Sequence, residues 1–68
     1  MNSLGEDFPR EQARCREILG IYKSLPNNAG AFGALMIEDM LRRADAAAIS
    51  GDVIAMLGVF QEMRELES

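Results

Sequence analysis

Cys15 is the only thiol of the chain and its one plausible nucleophile. Thiol catalysis works through the thiolate, usually made by an adjacent base, and the sequence contains no histidine. Arg14 and Arg16 can lower a thiol pKa, but that alone makes a reactive cysteine and not an enzyme. Cys15 falls on an apolar stripe, so it is expected to be a small core residue. The same two counts leave no imidazole or thiolate set for zinc. Glu38 and Asp39 are the tempting carboxylate pair. On a helix, sequence neighbours point about 100° apart, and each acid has an arginine one turn on, Glu38 with Arg42 and Asp39 with Arg43. A salt-bridged surface is expected, not a general acid–base pair. Gly30-Ala31-Phe32-Gly33 has G-x-x-G spacing without the lysine or preceding strand that a phosphate loop requires. It is expected to be a helix start whose glycine admits a neighbouring chain. No catalytic, cofactor or metal site is expected.

The elements carrying these residues read as three amphipathic helices, an all-α fold. Met1–Asp7 is predicted to be a loose N-terminal segment, and residues 8–68 a single helical domain. Asp7-Phe8-Pro9 reads as a capping acid followed by a first-turn proline. The first helix spans about 8–25, with Phe8, Cys15, Ile18, Leu19, Tyr22 and Leu25 on one stripe. Pro26 ends it, because the residue before a proline avoids helical geometry. Asn27 or Asn28 is expected to cap a second helix over about 31–50, with a broad apolar face from Phe32 to Ala48. Gly51 suits the left-handed residue after that helix, and Asp52 can cap the third, about 53–66. Short connections and the Ala46-Ala47-Ala48 run predict helices 2 and 3 as a tight antiparallel hairpin with helix 1 across it. Gly58, unfavourable inside a helix, is consistent either with close approach of another helix or with simple tolerance.

At 68 residues, a chain buries only about 60% of the surface its unfolded form exposes. Such domains lean on disulfides, metals or self-association. The first two lack their residues, and 49% of the chain is hydrophobic, including five methionines. Three apolar faces this wide predict a helical homodimer joined by a self-complementary patch. Formal charge is −4, which disfavours general binding to a phosphate backbone. Arg10, Arg14, Arg16 and Lys23 against Glu11 and Glu17 give residues 8–25 a net +2, whereas residues 26–68 set three arginines against seven acids. Helix 1 is therefore expected to dock on the acidic hairpin, its own or a second subunit's. The longest apolar runs fall well short of the roughly 20 residues that cross a bilayer, and the lone thiol suits a reducing compartment. A soluble cytoplasmic protein is expected.

Arg14-Cys15-Arg16-Glu17-Ile18-Leu19, Tyr22, Leu25-Pro26-Asn27, Phe32-Gly33-Ala34, Met36-Ile37, Arg43-Ala44-Asp45, Ser50-Gly51-Asp52-Val53 and Ala55-Met56-Leu57 together resemble small accessory proteins encoded in temperate phages and prophages of Gram-negative bacteria. The likeness covers roughly residues 14–66. It implies a setting, the infected bacterial cytoplasm, and a class of mechanism, binding and redirecting a host or phage protein. It carries over no active site. The expected function is thus that of a non-enzymatic protein–protein interaction module. Its expected contacts are Phe32, Met36, Met56 and Phe60, methionine being suited to adaptable binding surfaces, with Arg42 and Arg43 at the rim. The alternative is a small helical transcriptional regulator touching DNA through helix 1 or helix 2.

Overall fold

A computed structural model describes residues 3–67. Helix α1 spans Leu4–Ser24, a single 3-10 turn follows at Pro26–Asn28, α2 spans Ala31–Ser50 and α3 spans Val53–Glu65. Among the described residues there is no strand, and α2 and α3 pack against each other as the antiparallel hairpin the sequence predicts. Arg16 meets Asp45 and Lys23 meets Glu38, so α1 runs antiparallel to α2. Phe8 stacks on Phe60 while Arg14 reaches the Leu66 carbonyl, so α1 runs parallel to α3.

The first helix begins four residues earlier than predicted. Ser3, not Asp7, is its cap: the Ser3 hydroxyl accepts from the Glu6 N–H at 3.3 Å, and the Ser3 carbonyl receives the Asp7 N–H at 2.9 Å. Residues 4–7, expected to be loose, form the first turn; Met1 and Asn2 lie outside the described residues. Pro9 consequently sits inside α1, where its missing N–H removes one intrahelical bond. At the other end Leu25 is extended (φ −67°, ψ 140°) before Pro26, as the proline demands.

Asn27 and Asn28 do not cap α2. Both adopt left-handed geometry (φ 58° and 59°), which asparagine tolerates better than most residues. Gly30 takes the cap position with no side-chain bond. A Cβ at Gly30 would run into the Tyr22 carbonyl, and one at Gly33 into the Tyr22 ring. The neighbour admitted by these glycines is therefore the end of α1. Gly51 is left-handed (φ 69°) as expected. Its N–H and that of Asp52 bond the Ala48 and Ala47 carbonyls, closing α2, and the Asp52 side chain accepts from the Ala55 N–H at 3.1 Å.

The core joins Phe8, Cys15 and Ile18 of α1, Ile37, Met40, Leu41 and Ala44 of α2, and Val59 and Met63 of α3. Phe8, Met63 and Cys15 are the largest fully enclosed side chains. The carbonyls at the end of α3 are met from α1. Arg14 donates to the Leu66 carbonyl (2.8 Å) and the Met63 carbonyl, the latter also receiving the Cys15 thiol at 3.7 Å. No helix among the described residues is long and apolar enough to cross a membrane.

Candidate interaction surface

Helix lengths differ, and that difference creates the surface. α3 has 13 residues against 21 and 20 for α1 and α2. Arg14 lies beside the end of α3, yet α1 continues ten residues farther, to Ser24, or about 15 Å at 1.5 Å per residue. Met36 shares a groove with Leu66 at that same end, while α2 starts five residues earlier, at Ala31. The end of α1 and the start of α2 therefore form a two-helix overhang. Ile21 stands two turns beyond Arg14, and Phe32 one turn beyond Met36, so both flank the place a longer α3 would fill. Ile21, Leu25, Phe32, Leu35 and Met36 are all exposed there, Phe32 at 78% and Met36 at 60%. Leu25 and Leu35 line an adjoining groove with Lys23 and Glu38 at its edge.

At the opposite end, around Gly51, Ile49 (87%), Val53, Ile54 (84%) and Leu57 are exposed. All three helices reach this end, Leu4 of α1 being packed on the core. Gly58 faces open space, with no atom within 4 Å of a Cβ placed there; close approach of a helix within the chain does not account for it.

The six residues expected to form one contact surface do not come together. Phe32 and Met36 share the overhang. Met56 and Phe60 are half-buried against the core, Phe60 stacked on Phe8 with ring centroids 6.3 Å apart. They are therefore packing residues and not an exposed part of the same face. Arg42 is an exposed rim residue on the α1–α2 groove, 3.6 Å from Asp39. Arg43 belongs to the α2–α3 seam: two of its nitrogens bond both Glu62 oxygens at 2.7 and 2.9 Å, and its Nε bonds Asp39 at 3.0 Å. Those bonds raise the Arg43 pKa further, Glu62 contributing most. In return the Arg43 guanidinium holds the Glu62 carboxyl below its ordinary range.

Glu38 pairs with Lys23 at 3.7 Å, across to α1 and not along α2 to Arg42 as expected. Asp45 ties the same two helices together, accepting from Gln12 and Arg16 at 2.8 Å. Helix α1 thus docks on its own acidic hairpin. Arg10 pairs with Asp7 and Arg14 with Glu11, and Arg64 lies 5.8 Å over the Phe60 ring. Every lysine and arginine has a partner within the fold, so no open basic face is assembled. Cys15 is sealed: burial pushes its thiol up, outweighing the lowering by Arg14. The residues that sequence reasoning missed are Ile21, Leu35, Ile49 and Ile54 as exposed apolar positions, and Arg14 as the group that closes α3. Comparison with protein-family models, curated proteins and solved structures finds no match to this chain.

Proposed function

We propose that this protein is a non-enzymatic homodimeric interaction module, acting stoichiometrically on a host or phage protein in the cytoplasm of an infected bacterium. The observation that carries the reading is that, among the described residues, nine large hydrophobic side chains are exposed at between 42% and 87% of their surface, gathered at the two ends of the bundle. Apolar patches of this kind mark contact surfaces in small proteins, and a domain of this size gains most from covering them. The partnered cations argue against a DNA-contacting regulator, whose affinity needs phosphate-facing lysine and arginine. The sealed, proton-retaining Cys15 argues against thiol catalysis.

Molar mass by light scattering over a dilution series, from high to low micromolar, tests the reading. A mass near twice the 7.5 kDa of one chain is the expected result, and a single-chain mass throughout removes the dimer. The chain used as bait in bacterial lysate is expected to retain one protein at a stoichiometric level. A salt-dependent shift of duplex DNA would favour the regulator instead.

A further inference from the structure

We propose that a second copy of this chain covers the two-helix overhang, the two copies packing Ile21, Leu25, Phe32, Leu35 and Met36 against the same residues of the other. The inference rests on the homodimer reading and assigns its interface.

Area allows this occupant but does not select it. At roughly 200 Å² per fully exposed large side chain, the five residues present about 600 Å² at their observed exposures. A stable dimer buries roughly 800 Å² per partner, about two-thirds of it apolar. The Gly51 end offers a similar area, so the choice rests on how each patch relates to the core.

At the overhang Phe32, Met36, Ile21 and Leu25 extend buried rows, while Leu35, one turn before Asp39 and two before Arg42, borders them on the polar face of α2. Phe32, Met36 and Met40 stand at successive turns of α2, and Met40 is buried. Leu25 stands two turns beyond the buried Ile18 of α1, and Ile21 one i+3 step from it. These side chains are exposed because α3 stops short, and the surface lacks one helical layer. Two such overhangs facing each other supply that layer mutually, as four helices around a shared core, and a two-fold axis makes the patch its own complement. The rim carries both signs, Lys23 and Glu38 on one groove and Glu65 on the other, so copy can face copy. At the Gly51 end, by contrast, Ile49 follows Arg42 and Asp45 on its face, and Ile54 is followed by Gly58 and Gln61. Those isoleucines sit on polar faces with no buried row to extend.

The test compares the wild type with Phe32→Ser/Met36→Ser and with Ile49→Ser/Ile54→Ser, by light scattering across dilution, with circular dichroism to confirm folding. All four residues are exposed, so the monomer fold is expected to survive. The overhang variant is expected to dimerise at least about 100-fold more weakly, as interface-centre truncations do. The Gly51-end variant is expected to stay within about threefold of wild type, in line with residues outside an interface. A wild type that is monomeric throughout overturns the homodimer reading and this inference together. A wild-type dimer dissociated by the Gly51-end variant, by both variants or by neither overturns the interface assignment alone. Should a variant unfold, amide hydrogen exchange on the wild type decides. Protection lost on dilution at residues 18–25 and 31–36 supports the assignment, and loss confined to residues 49–57 overturns it.

Discussion

At the Gly51 end of the bundle three helices are present; at the opposite end there are two. Both ends expose large apolar side chains, but for different reasons. Ile49 and Ile54 point away from a completed core, whereas Phe32 and Met36 extend a buried row past the point where its third wall ends. Exposure by itself therefore does not identify an interface. What separates the two cases is whether the exposed residue continues the core or stands apart from it.

Two methionines measure that contrast with the largest effect. Met63 is fully enclosed where three helices meet, and Met36 lies exposed beside Leu66. Met63→Ala is expected to destabilise the fold by about 2–5 kcal/mol, the range for truncations that leave a cavity. Met36→Ala is expected to stay within about 0.5 kcal/mol in the monomer, as exposed substitutions do. Chemical denaturation of dilute samples gives both values, and equal losses would dissolve the distinction between the three-walled core and the two-walled overhang.

Arg14 marks the boundary itself, and its removal is the next largest change. Its guanidinium satisfies two carbonyls at the end of α3 while Glu11 holds it in place. Arg14→Leu keeps the stem and deletes the donors; a loss of about 1.5–3 kcal/mol is expected, as for bonds from a charged donor. Hydrogen exchange should show the loss as fraying of residues 60–65, with the Gly51 turn unaffected.

Glycines sharpen the comparison further. Gly30→Ala places a methyl against the Tyr22 carbonyl, where backbone must move, and is expected to cost about 1–3 kcal/mol, as overpacking does. Gly58→Ala meets open space and is expected to gain up to about 1 kcal/mol from helix propensity. Thermal unfolding midpoints moving in opposite directions would bear out both; a loss at Gly58 would show that something approaches it.

Much of this architecture was legible in the sequence because it is written locally. Leu25-Pro26, Ser50-Gly51-Asp52 and the stripe through Phe8, Cys15 and Ile18 each depend on residues within a turn or two. The start of α1 was also written locally, as Ser3-x-x-Glu6 with capping-box spacing, but the acid and proline at Asp7-Phe8-Pro9 gave a competing start. The contact surface was not legible. Phe32 and Met36 have the same residue types and spacing as Met56 and Phe60. Only the length of α3 and the place where Phe8 stacks decide that one pair is exposed and the other packed. The cross-helix bonds of Asp45 and Glu38 were hidden too, since i,i+4 spacing reveals only partners on the same helix.

The smallest effect is the pH response of the α2–α3 seam, which lies on the three-helix side of the comparison. Arg43 grips Glu62 with two nitrogens and Asp39 with a third, and the Glu62 carboxyl is held below its ordinary value of 4.5, chiefly by hydrogen bonding from Arg43. A carboxyl with a depressed folded pKa binds fewer protons in the native than in the unfolded state. Its stabilisation is therefore present above about pH 4.5 and is lost as pH falls through the folded value. Both side chains are about half exposed, so solvent screens the pair and about 0.5–1 kcal/mol is expected at neutral pH. Glu62→Gln removes the charge and keeps the shape. The difference in unfolding free energy between wild type and Glu62→Gln should hold constant from pH 7 to about 5, then shrink toward zero in more acidic solution. A difference that ignores pH would mean that Arg43 and Glu62 contribute packing rather than charge, and that the hairpin closes without the ion pair.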